Sequence, residues 1–215
     1  MIERIQSPDF KYILADFETT CLNLNSVKPW QLAFLVCEGG KVIEEKQFYI
    51  KWDSLRLSDG AKQVTRFDEK KYKEEAKENE VVLDIFERYI YDKNYFIIGH
   101  NYLFYDSYVH DSWRRYLGKK TDYSYVDRII DTNSVTKGIK LDIPYRRGDS
   151  WLGWQYQVGS VLKKGLKSSL TTVAKENKID WNFDTLHEAL SDIRLNNIIW
   201  NKYCKPKLEN WLLLT

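Results

Sequence analysis

Hydrophobic positions in this chain come in two spacings. Short continuous apolar runs dominate the first hundred residues, and helix-spaced sets dominate the rest. The run Tyr12-Ile13-Leu14-Ala15 lies inside residues 11–16 and predicts a buried strand. Residues 31–37 (QLAFLVC) predict a second strand and residues 41–52 (KVIEEKQFYIKW) a third. Glu38-Gly39-Gly40 between them is a hairpin turn signal, so the first three strands read as a meander. Residues 94–98 (NYFII) predict a further buried strand ending at Gly99.

Helices are expected at residues 58–65, at 81–91 from apolar spacing, and at 107–117, stopped by Gly118. Asp131-Thr132 reads as a helix N-terminus with either residue as cap. Residues 168–177 and 186–203 read as helices, with Pro206 breaking the second from a short tail. Residues 140–165 hold most of the later glycines and prolines and read as a loop. No repeat, low-complexity tract or linker interrupts the pattern. The expectation is one α/β domain over residues 1–215.

Composition changes this picture little. A formal net charge of +2 does not announce a polyanionic partner, so any basic surface must be local. Aromatic residues at 15% suit a surface that stacks bases, although core packing uses them as well. Cys21, Cys37 and Cys204 are odd in number and scattered, without zinc-ligand spacing. Free thiols in a reducing, cytoplasmic compartment are the simple reading. The opening MIERIQSPDF lacks the apolar core of a signal peptide, and no run approaches the roughly 18 apolar residues of a membrane span.

The informative feature is where the acids fall. Asp16 and Glu18 stand two apart at the end of the first strand, so they share a face and repel. Asp106 falls where a helix begins after the fourth strand. Asp192 lies on a late helix, five residues after His187. Five residues turn about 500°, so the two side chains share a face only if His187 sits at or before the helix start. Acids brought together from three distant segments cannot all stay ionised cheaply. Divalent cations resolve the conflict, and oxygen-rich sites suit Mg²⁺ or Mn²⁺. Two such ions can activate water and stabilise a leaving oxygen in phosphodiester cleavage, with a nearby imidazole taking the proton.

The order DxET (Asp16 to Thr19, then Thr20), GHNxxxxD (Gly99 to Asp106) and HxxxxD (His187 to Asp192) resembles the DEDDh branch of the DnaQ-like 3′→5′ exonucleases. The longer spacing from Asn101 to Asp106 is similar to the form in exonuclease I-like enzymes and in proofreading domains of B-family polymerases. Further likeness covers residues 60–64 followed by 81–91, Asp131-Thr132 and residues 169–179. Cys21 departs from the pattern, since glycine is frequent there. The resemblance implies a ribonuclease H-like fold, with a central mixed sheet of five strands, the first three antiparallel, and helices on both faces. It implies two Mg²⁺ or Mn²⁺ ions and 3′→5′ release of nucleoside 5′-monophosphates. It further implies that Asp16, Glu18, Asp106 and Asp192 hold the ions and that His187 is the general base. Single-stranded DNA is the favoured substrate and RNA the alternative.

Residues 138–167 follow no family pattern. Trp151, Trp154, Arg146 and Arg147 mix aromatics with positive charge, so this segment either contacts substrate, the reading its length favours, or uses its tryptophans to pin a long loop to the core. Thr19, Thr20 and Asn101 are expected near the nucleotide. His100 reads as a packed or hydrogen-bonded residue at the strand end, and His110 as a surface residue.

Overall fold

The computed structural model describes residues 2–65 and 67–214. Its centre is a six-stranded sheet in the order β4-β3-β2-β1-β5-β6. β1 (Lys11–Thr19), β2 (Pro29–Glu38) and β3 (Lys41–Lys51) form the expected antiparallel meander. β5 (Tyr95–Gly99) pairs parallel to β1, with Leu14 opposite Ile98, and β6 (Ile129–Asp131) pairs parallel to β5. The carboxyl ends of β1, β5 and β6 therefore lie along one edge. The expectation of five strands falls one short. β4 (Lys77–Glu78) and β6 are two and three residues long, too short to leave a period in the sequence.

Alternation along β1 sends its residues to two cores. Tyr12 and Leu14 join Ala33, Leu35, Phe96 and Ile98 on one face, covered by α5 (Thr132–Leu141), α7 (Leu170–Glu176) and α8 (Ala189–Ile199). Ile13, Ala15 and Phe17 join Leu32, Phe34 and Ile97 on the other, under α3 (Asn79–Ile90) and α4 (Asp106–Tyr116). Two short helices, α1 (Asp59–Thr65) and α2 (Glu69–Glu75), follow β3.

Three expectations change. The stretch read as a loop over 140–165 carries α6 (Trp151–Gly159), capped by Ser150. Trp151 and Trp154 are 7% and 5% exposed. Their indole N–H groups donate to the carbonyls of Ile129 and Ile143, so both rings pin α6 to the core. Pro206 does not end the last helix. A π turn at Trp200–Cys204 leads straight into α9 (Lys205–Leu214), and the proline follows directly on that turn, where the Lys205 N–H bonds the Trp200 carbonyl and the regular i→i−4 ladder is already interrupted. His110 is fully buried, not on the surface; its ring nitrogens meet Tyr125 Oη at 3.0 Å and Glu87 Oε1 at 3.2 Å.

Candidate active site

Asp16 and Glu18 continue the face of β1 that carries Tyr12 and Leu14, the face covered by α8. Asp192 sits in the first turn of α8. One oxygen from each of Asp16, Glu18 and Asp192 lies within 4.8 Å of the others. Asp106, at the start of α4, approaches from the neighbouring strand end and is 4% exposed. Its Oδ1 accepts the Phe17 N–H at 3.2 Å, which ties the second acidic segment to the first.

No cation neutralises this cluster among the described residues. Burial, then the charges of Asp106, Asp192 and Glu18, pushes the Asp16 carboxyl well above the carboxylate range. Glu18 is raised in the same way, by burial and then by Asp192, Asp106 and Glu188. Burial pushes Asp106 up to about 8, against the pull of the Phe17 N–H. It pushes Asp192 up to about 6, against the pull of the His187 N–H. Four acids turned toward one another with no basic partner make an unfavourable arrangement unless something positive binds there.

The loop from β5 to α4 is held from below. Asp131 caps α5 by accepting the Ser134 N–H at 2.9 Å, and also accepts the N–H groups of Asn101 at 3.3 Å and Leu103 at 3.0 Å. Asn101 takes a left-handed backbone (φ 67°), which asparagine tolerates, and its carbonyl receives the N–H groups of Phe104 and Tyr105. The His100 ring is held at 3.0 Å from Thr132 Oγ1, and burial lowers it to about 4.

His187 lies two residues before α8, in a left-handed backbone (φ 66°), with its side chain exposed. Its N–H donates to Asp192 Oδ1 at 3.2 Å. This is the arrangement in which a five-residue spacing brings the pair to one side. The start of α8 is fixed to the sheet by Gln31, whose Oε1 accepts the Ala189 N–H at 3.2 Å.

A cavity of about 370 Å³ opens beside Glu18 and Thr19. Tyr105, Leu22, Ala61 and Val64 line its walls. Thr19 Oγ1 lies 2.7 Å from Tyr105 Oη, and that hydroxyl also donates to the Cys21 carbonyl at 2.9 Å. Thr20 is buried, and its hydroxyl accepts the Lys28 N–H at 3.0 Å. Arg146 and Arg147 are exposed on the loop before α6, and Arg147 donates to the Leu212 carbonyl of the C-terminal helix. None of Trp151, Trp154, Arg146 and Arg147 joins the carboxylate group or lines the cavity beside it. Tyr105, Asp131 and Gln31 shape the site without having been singled out as site residues. Tyr105 carried a signal as the neighbour of Asp106 and Asp131 as a helix cap; Gln31 carried none.

Residues 13–199 match the RNase T family model, described as exonuclease. The chain belongs to this DEDDh, or DnaQ-like, exonuclease family. The family implies divalent metal ions, and the convergent oxygens of Asp16, Glu18 and Asp192 fit them. Among solved structures, the chain is similar to E. coli exonuclease I in its zinc-bound complex with single-stranded DNA, at TM-score 0.72 and 17% identity over 95% of this chain and 43% of that one. It is similar to E. coli exonuclease I with a dA16 oligonucleotide at TM-score 0.71 and 18% identity, again over 95% and 43% of the two chains. A product-bound exonuclease I gives TM-score 0.70 and 17% identity over 96% and 46%. At such identities the likeness is one of fold, here the ribonuclease H-like fold. The chain spans less than half the length of these proteins. No curated protein matches it.

Proposed function

We propose that this protein is a 3′→5′ exonuclease that removes nucleoside 5′-monophosphates from the 3′ end of single-stranded DNA. One observation carries the reading: Asp16, Glu18 and Asp192 converge to within 4.8 Å, with Asp106 beside them and no cation among the described residues to balance them. Asp16, Glu18 and Asp192, with Asp106, hold two Mg²⁺ or Mn²⁺ ions. Such ions, when bound, neutralise the phosphodiester and the charge that develops on its oxygens.

The residues of the chain supply the rest. His187 precedes α8 on an exposed turn whose backbone is tied to Asp192; with its ring turned toward the cluster when substrate is bound, it takes the proton of the attacking water. Thr19 and Tyr105, held together by their hydroxyls, form one wall for the terminal nucleotide. Leu22, Ala61 and Val64 give its base an apolar surface. Asn101 orients the turn that presents Asp106.

Matched single-stranded DNA, duplex DNA and RNA, labelled at either end, test this in Mg²⁺ and in EDTA. Stepwise loss from the 3′ end of single-stranded DNA in Mg²⁺ alone is expected. Full activity in EDTA, or cutting of circular single strands, defeats the reading; faster loss from RNA moves the substrate to RNA.

A further inference from the structure

Residues 150–175 contain no acid, in a chain with 31 of them. The same stretch holds Lys163, Lys164, Lys167 and Lys175, more positive charge than the formal excess of the whole chain. Between α6 and α7 it forms an exposed loop (SVLKKGLK, residues 160–167). Two lysines of α5 staple its backbone. Lys137 Nζ donates to the carbonyls of Gly159 and Val161, and Lys140 Nζ donates to that of Lys167 while pairing with Glu176. The carbonyls point inward to these amines. The side chains of Lys163, Lys164 and Lys167 are exposed, with no ion-pair partner among the described residues. They line a cavity of about 610 Å³ with Leu166 and Tyr203. Leu162 beside them is 96% exposed.

The loop is joined to the carboxylate edge by two routes. The Ser168 backbone, at its end, lies beside the His100 ring, one residue beyond the end of β5. At its start, Tyr156 of α6 packs edge-on against Phe104 at 5.3 Å, two residues from Asp106. Tyr156 is 38% exposed and Tyr108 39%. α5 rises about 12 Å from Thr132 to Lys140, so the lysines lie within the span of a short strand leaving the site. A path that begins at carboxylates, crosses aromatic faces and ends in unpaired lysines complements a chain of bases and phosphates.

We propose that residues 160–167 form a track for single-stranded nucleic acid upstream of the scissile bond. Lys163, Lys164 and Lys167 meet its phosphates, and Tyr156, Phe104 and Leu162 contact its bases. The inference rests on the nuclease reading above and moves the substrate contacts of this segment away from Trp151, Trp154, Arg146 and Arg147.

The test compares the wild type with the triple variant Lys163→Gln, Lys164→Gln, Lys167→Gln. A control carries Lys41→Gln, Lys93→Gln and Lys207→Gln, which lie outside the track. Binding of an oligothymidylate of about 20 nucleotides is followed by anisotropy in EDTA across a salt series. Each lost phosphate contact flattens the slope of log K against log salt by about 0.7, so the triple variant should lose about 2 and the control nothing. With Mg²⁺, KM for the long strand should rise in the triple variant while cleavage of a dinucleotide stays unchanged. An unchanged slope and KM, equal loss in the control, or no wild-type binding overturns the track. If the wild type cleaves nothing, the nuclease reading falls, and the binding slopes still decide the track.

Discussion

Asp16→Asn removes one of three carboxylates whose oxygens lie within 4.8 Å of one another. Two unit charges at that distance repel by about 3.5 kcal/mol at an effective dielectric constant near 20. The metal-free protein relieves this by holding protons: burial first, then the neighbouring carboxylates, raises Asp16 and Glu18, and burial raises Asp106 to about 8 and Asp192 to about 6. A carboxyl raised in the folded state binds more protons folded than unfolded, so stability falls as pH rises. The loss begins above the unfolded value near 4 and runs through 6 and 8. Asparagine at residue 16 removes the repulsion with Asp106, Asp192 and Glu18, part of whose cost the protons have already relieved. A gain of about 1–3 kcal/mol is expected at pH 8, with little at pH 5. For a chain of this size each kcal/mol shifts Tm by about 2–4 °C. Thermal unfolding followed by circular dichroism in EDTA at both pH values measures it. Mg²⁺ should then raise the wild-type Tm more than that of the variant. A variant advantage that does not grow from pH 5 to pH 8, or a variant less stable at pH 8, refutes the account of mutual repulsion.

Other expectations follow from the same structure. His187→Ala should cost about 10²–10⁴-fold in single-turnover cleavage while leaving oligonucleotide binding intact; a wild-type rate would make His187 a surface residue. A Cβ on Gly138 would lie 2.6 Å from the Trp154 ring, so Gly138→Ala should lose about 1–3 kcal/mol in urea unfolding, and a neutral result would show that the ring can yield. Burial alone would raise Glu87, but hydrogen bonds from His110 and Arg114 outweigh it and hold the carboxyl at about 2. Its stabilisation is therefore present above pH 4.5 and lost as pH falls toward 2. Acid unfolding should show that loss in the wild type and not in Glu87→Gln.

Local pattern was enough for the acids that converge and for most of the sheet. β1 was legible because Tyr12-Ile13-Leu14-Ala15 is a continuous apolar run, the mark of a strand buried on both faces. The acids Asp16, Glu18, Asp106 and Asp192 were legible because carboxylates at buried element ends have few structural uses. A place for His187 at or before the helix start was legible from its five-residue spacing to Asp192; its left-handed backbone was not. Tertiary structure alone decided what lacked local period. β6 exists because β5 offers Ile97, Ile98 and Gly99 as pairing partners, not because three residues specify a strand. Trp151 and Trp154 could read as stacking platforms until the carbonyls of Ile129 and Ile143 were found to take their N–H groups. His110 could read as a surface residue until Glu87 and Tyr125, far away in sequence, enclosed it. In each case the deciding partner is remote along the chain, and aromatic or imidazole side chains suit both a core and a surface, so composition at the position carries no record of the choice.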